Sequence, residues 1–171
     1  MLKLRETAVF AMLGAIMFAS KIVMEVLPNI HLIGVFVIAL TVVYRKKALY
    51  PIYVFVMIFG LYYGFDLWWV PYLYIWTVLW GATMLLPIKL PKKLQALIYM
   101  SLCAAHGLLY GVLYAPFQAL LYSLSFQGTL AWIAAGLPFD LIHCVSNFFC
   151  GALILPLISI LRFSEKNMGM L

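Results

Sequence analysis

LIGVFVIALTVVYRKK, residues 32–47, carries an apolar run into three consecutive cations, Arg45, Lys46 and Lys47. The run from Leu32 to Tyr44 is short for a membrane span, which predicts either locally thin structure or a helix buried by its neighbours rather than by lipid. The basic stop that ends it recurs along the chain. The eleven Lys and Arg residues fall into four clusters, Lys3 with Arg5, Arg45 to Lys47, Lys89 to Lys93, and Arg162 with Lys166; only Lys21 lies outside them. The apolar intervals between clusters hold roughly 40 to 70 residues, room for two crossings of a ~30 Å hydrocarbon core, so the chain leaves and returns to one side each time. The pattern predicts an all-α integral membrane bundle of six transmembrane helices. The excess of Lys and Arg on cytoplasmic loops then places all four clusters and both termini in the cytoplasm.

Composition points the same way. The chain of 171 residues is 67% apolar and 9% charged, with a mean hydropathy of +1.11, against roughly 45–50% apolar and about 25% charged in soluble domains. Six spans leave almost nothing for a soluble part, so residues 1–171 read as a single membrane domain with short loops. The net charge of +6 is dispersed among membrane-flanking segments rather than gathered on one surface, which argues against a nucleic-acid partner. Cys103, Cys144 and Cys150 lie in predicted helices without CxxC spacing and read as packing residues. Lys3 and Arg5 before the apolar run Ala8 to Phe18, with small residues near Ala19, resemble a signal peptide. Cleavage there would leave five spans and opposed termini, so the segment is kept as a helix.

The predicted helices are 5–26, 32–44, 49–63, 71–86, 93–114 with an extension towards 122, and 138–161. Leu27-Pro28-Asn29 ends the first, because a residue before proline is disfavoured in the helical region. Asp66 beside Trp68 and Trp69 marks an interfacial outer loop, and Pro87 to Pro91 makes a stiff inner connector. Residues 115–136 read as a helical extension followed by an outer loop, and Pro138 opens the last helix, since proline suits the first helical position.

With that start, Asp140, His143 and Asn147 fall at i, i+3 and i+7 on one face. Asp140 then sits in the first turn, where the helix dipole favours a carboxylate. Ionisable groups within a membrane are costly and usually line a cavity; the competing reading is a polar network that fixes helix packing. His106, Tyr110, Tyr114 and Gln118 form a second stripe, and Tyr72, Trp76 and Trp80 a third. Together they suit a pocket for a small ring-bearing solute, although an interfacial belt is the simpler reading of each tryptophan alone. Lys21 and Glu25, four apart, are placed to pair near the outer end of the first helix, with His31 in the following loop. The candidate substrate-binding residues are therefore Asp140, His143, Asn147, His106, Tyr110 and Trp76, with Trp132, Glu25, His31 and Asp66 nearer the outer surface. No two histidines have local ligand spacing, so a metal site is disfavoured and no cofactor is expected. No HExxH, GxSxG or phosphate-loop motif is present, and the inner half of the bundle reads as nearly pure aliphatic.

Ala11, Ala15 and Ala19, continued by Ala8, make a small-residue stripe that lets helix backbones approach within lipid. Gly60 with Gly64 and Gly107 with Gly111 offer similar faces. This alanine stripe, the size and topology, and the segment Gly136-Leu137-Pro138-Phe139-Asp140-Leu141-Ile142-His143 followed by Asn147 resemble the substrate-binding S component of an energy-coupling factor vitamin transporter. The resemblance implies capture of a vitamin or related organic micronutrient at the outer face of a bacterial cell membrane. It also implies partners: a transmembrane coupling subunit docking on Ala11, Ala15 and Ala19, and two cytoplasmic ATPases, with no ATP hydrolysis by this chain. The nickel and cobalt members of that group are disfavoured, because their histidine-bearing N-terminal motif is missing from residues 1–5. Two other classes compete: a stand-alone small-solute permease, and an intramembrane enzyme using His143 and Asp140.

Overall fold

The computed structural model describes residues 4–88 and 90–168. Lys3 and Lys89 of the basic clusters lie outside the described residues. Every regular element among the described residues is helical: α1 Leu4–Val23, α2 Ile33–Tyr44, α3 Leu49–Tyr63, α4 Tyr72–Leu85, α5 Lys92–Leu108, α6 Tyr110–Leu121, α7 Phe126–Cys150 and α8 Ile154–Met168. Short 3-10 turns at Arg45–Ala48, Leu67–Trp69 and Gly151–Leu153 link three of the pairs. Three continuous helical stretches, Leu4–Val23, Lys92–Leu121 and Phe126–Asn167, are long and apolar enough to cross a membrane.

α2 is the centre of the packing. Ile33 to Val35 and Val37 to Thr41 are buried, so the helix is enclosed by neighbours on nearly all sides. At 1.5 Å per residue it is only about 18 Å long, and it is surrounded mostly by protein. α1 packs on α3 through Gly14. A Cβ at that position would lie 2.5 Å from Val54 Cγ1 and 2.8 Å from the Pro51 carbonyl oxygen, so a larger residue would force the two backbones apart.

At the end of the bundle that holds the Arg45 cluster, polar groups are paired across elements. The Tyr44 hydroxyl donates to Glu165 Oε1 at 2.6 Å, Lys47 Nζ pairs with Glu6, and Arg45 Nη2 donates to the Met84 carbonyl at 3.1 Å. The reading of this half as nearly pure aliphatic is therefore corrected. Glu165 is 1% exposed and Glu6 9% exposed, and their partners come from residues far away in sequence. Tyr44→Phe removes the hydroxyl from a buried carboxylate and is expected to cost about 1–3 kcal/mol, readable as a lowered melting temperature in detergent.

The second half of the chain differs most from the sequence reading. α5 and α6 are nearly continuous, interrupted at Leu109, and α6 carries Pro116 in its interior. The chain then turns within four residues, 122–125, with Ser123 at φ 49°, and α7 begins at Phe126. Ser125 caps it, its Oγ accepting from the Gly128 N–H at 3.1 Å, as serine does at helix starts. The expected outer loop before Pro138 is thus helical, and Pro138 lies inside α7 rather than at its first position. A side-chain cap and a run free of proline from Phe126 to Leu137 outweigh proline's preference for the first turn.

Candidate functional site

α7 inverts the usual amphipathic pattern. Its buried residues are Asp140, His143 and Asn147, while Phe139, Leu141, Ile142, Val145 and Phe149 are exposed. A helix that buries its polar stripe and presents its apolar side outward fits an apolar surrounding. The stripe faces α5 and the start of α6, where two glycines receive it. A Cβ on Gly107 would stand 2.7 Å from Asn147 Nδ2 and 2.9 Å from the His143 carbonyl carbon and oxygen, and one on Gly111 would collide with Asp140 Oδ2. The Gly107xxxGly111 face thus acts as a cradle for the three polar residues.

Each polar residue has a different role within this cradle. Asp140 sits mid-helix, so the first-turn dipole argument for α7 does not hold. Its carboxylate instead accepts from the Gly111 N–H at 3.1 and 3.2 Å. Gly111 lies in the first turn of α6, where backbone N–H groups lack intrahelical acceptors, so Asp140 serves the positive end of a different helix. Asn147 donates to the Cys103 carbonyl at 3.3 Å, and its Oδ1 is buried without a partner. His143 meets His31, Nε2 to Nε2 at 2.7 Å, with ring centroids 4.6 Å apart and planes at 83°.

That imidazole pair borders a cavity of about 150 Å³. His143 and Tyr110 line it from one side and Tyr72 with Trp76 from α4. The remaining wall comes from Phe55 and Ile33, from the loop residues Asn29 and His31, and from Lys21 on α1. The loop is held by Asn29, whose positive φ of 58° is one that asparagine tolerates, and by Ser146 Oγ donating to the Asn29 carbonyl at 3.1 Å. Burial, then the nearby His143 and Lys21, push His31 well below the usual imidazole range, so the ring is neutral at pH 7. With Nε2 committed to His143, its Nδ1 has no partner, and neither does the buried Nε1 of Trp76. Unpaired buried polar atoms are rare and call for an explanation.

Of the residues named from sequence, His31, Trp76, Tyr110 and His143 are brought together around the cavity. His106 lies behind Trp76, ring centroids 5.6 Å apart, with Nε2 3.1 Å from the Ile75 carbonyl. Asp140 and Asn147 hold α7 in place rather than line the cavity. Trp132 stacks on Tyr114 at 6.1 Å, and Asp66 caps the 3-10 turn Leu67–Trp69 by accepting from the Leu67 N–H at 2.6 Å; both are outside the lining. Lys21 and Glu25 form no direct ion pair within 4 Å, because α1 ends at Val23 and Glu25 accepts from the Tyr63 hydroxyl at 2.8 Å, although the carboxylate still attracts the ammonium at longer range. Lys21 lines the cavity in its own right, as do Asn29 and Tyr72. The i, i+4 spacing of Tyr72 and Trp76 is the signal for the last of these; nothing local marks the loop residue Asn29.

Among the described residues no group of three His, Cys, Asp or Glu side chains is placed to hold a metal ion. Ala8, Ala11, Ala15 and Ala19 are exposed on α1, whose Phe10, Gly14 and Met17 are on the buried side, and none of the four lines the cavity. Compared with protein-family models, with curated proteins and with solved structures, the chain finds no match in any of the three.

Proposed function

We propose that this chain is the substrate-capture subunit of an energy-coupling-factor type importer for a small organic micronutrient. In this reading the bundle crosses the membrane six times with both termini in the cytoplasm, and it works with a coupling subunit and two ATPase subunits. The observation that carries the reading is the cavity bounded by His31, His143, Trp76 and Tyr110, at the opposite end of the bundle from the Arg45 cluster. It combines ring faces with buried polar atoms that have no partner inside the protein. Fixed polar groups in a mostly aromatic recess are the ordinary make-up of a small-molecule site. By the positive-inside rule the Arg45 end is cytoplasmic and the cavity end external, which suits capture from outside.

The exposed alanine stripe supports a partner on α1. Gly14 and Met17 already lie on the side of α1 that is buried within the chain, so Ala11, Ala15 and Ala19 are left facing outward, and a small-residue face lets a second helix approach closely.

The combined test is co-purification and uptake. Ala11→Leu with Ala15→Leu is expected to abolish assembly with the coupling subunit, and uptake with it, while ligand-induced stabilisation of the isolated chain stays within about threefold of wild type in apparent affinity. Assembly that survives the double substitution would remove α1 as the docking face, and a stand-alone chain that transports without partners would overturn the reading.

A further inference from the structure

We propose that the cavity binds a small ring-bearing monoanion, an aromatic or heteroaromatic carboxylate, with its charge at the Lys21 end and its ring against Trp76 and Tyr110. This rests on the capture reading and narrows the class of solute. The first support is charge balance. Lys21 is the one formally charged residue of the described lining, and no carboxylate borders the cavity. Of the acids nearby, Glu25 accepts from the Tyr63 hydroxyl and acts on Lys21 only at longer range, and Asp140 accepts from the Gly111 N–H. Lys21 itself makes no hydrogen bond to a described residue and no ion pair within 4 Å, the one such pair described being that of Lys47 with Glu6. A cationic solute would meet an ammonium and find no carboxylate in the lining, whereas an anionic one would meet a charge-assisted donor directly.

The second support is independent of charge. Trp76 is 2% exposed and His31 6% exposed, and Trp76 Nε1 and His31 Nδ1 both lack partners. An indole N–H only donates, so an acceptor on the solute is the group that would satisfy it. Together with the Lys21 ammonium, the lining is rich in donors and matches a solute rich in acceptors. His31 Nδ1 serves either polarity, because its tautomer is set by which imidazole donates across the Nε2 contact. The ring faces of Trp76, Tyr110 and Tyr72 match a flat apolar body, and a volume of about 150 Å³ favours one ring with a short acidic arm over fused rings with a long tail.

The test uses the full chain in detergent and matched solutes of one shape and different charge: pyridine-3-carboxylate and benzoate, their amides, and benzylamine. The expected result is that one or both acids raise the melting temperature, while the amides and the amine do not. Lys21→Gln should weaken the acid by about tenfold or more, as loss of a charge-assisted contact does, with Lys21→Arg retaining most of the effect. Because Lys21 is only half-buried and packs at the cavity edge, both variants are expected to fold, checked by their melting temperature without solute. Equal stabilisation by amides or by benzylamine, unchanged in Lys21→Gln, overturns the anion assignment and leaves capture standing. No stabilisation by any of the five in a folded sample overturns both.

Discussion

Gly107→Leu is expected to yield no folded protein. A Cβ alone at this position lies 2.9 Å from the backbone carbonyl of His143 and 2.7 Å from Asn147 Nδ2, and the backbone cannot swing aside as a side-chain end can. The α5–α7 contact would have to open, breaking the Asn147 bond to the Cys103 carbonyl and moving His143 away from His31. Overpacking of this kind costs about 1–3 kcal/mol in cores that relax, and here the loss of the polar contacts adds to it. The control is Gly136→Ala. Gly136 also lies inside a helix, but nothing stands within 4 Å of the point to which an added methyl group would project, so the change should be neutral or stabilise by up to about 1 kcal/mol through helix propensity. Gly107→Leu should give no folded peak in size exclusion, whereas Gly136→Ala should elute as wild type with an equal or higher melting temperature. Similar behaviour in both would mean that α5 and α7 are not closely apposed at Gly107.

Trp76→Ala should produce the second large effect. The indole is 2% exposed and borders five other rings: His31, Phe55, Tyr72, His106 and Tyr110 have centroids 5.6 to 6.3 Å away. Its removal leaves a void that those rings cannot fill and is expected to cost about 3–5 kcal/mol. Trp76→Phe separates packing from recognition. It retains much of the ring volume and deletes an N–H that has no partner inside the protein, so stability should fall far less than in Trp76→Ala. Solute affinity should nevertheless drop by about tenfold if that N–H is a donor to the bound molecule. Urea or thermal unfolding of the free chain gives the first quantity and solute-dependent melting the second. A Phe variant that binds as tightly as wild type would show that Trp76 contributes a surface and not a hydrogen bond.

The two experiments probe different parts of one arrangement. Gly107 sets how near α7 comes to α5, and that distance places His143 against His31. Trp76 closes the same space from α4. The polar stripe of α7 serves both purposes at once, since Asp140 and Asn147 anchor the helix and leave His143, between them, to face the cavity.

The i, i+3, i+7 spacing of Asp140, His143 and Asn147 is legible in the sequence alone, because helical periodicity survives an error in where the helix begins. Their division into anchors and a cavity residue is not, since it depends on Gly107, Gly111 and Cys103 some 30 to 45 positions away, and no local pattern encodes which partner a carboxylate will find. The pairing expected for Lys21 and Glu25 fails for a related reason: i, i+4 spacing predicts contact only while the helix continues, and α1 stops at Val23. The start of α7 is masked because Pro138 is a strong local signal, whereas the Ser125 cap and the tight turn at 122–125 are weaker ones that tertiary contact with α5 and α6 reinforces.

By itself, then, the sequence determined that the chain is helical, apolar beyond soluble norms and punctuated by basic clusters, because these properties depend on composition and on periodicities of a few residues. It also exposed the aromatic and histidine positions from which a site would be built. Only the tertiary structure decided that His31 meets His143 across 112 positions of chain, that Lys21 borders their cavity with no carboxylate in the described lining, and that Glu6 and Glu165 are buried at the other end. Those outcomes rest on which helices lie side by side and how closely, and glycines at the crossings, rather than any run of neighbouring residues, set that distance.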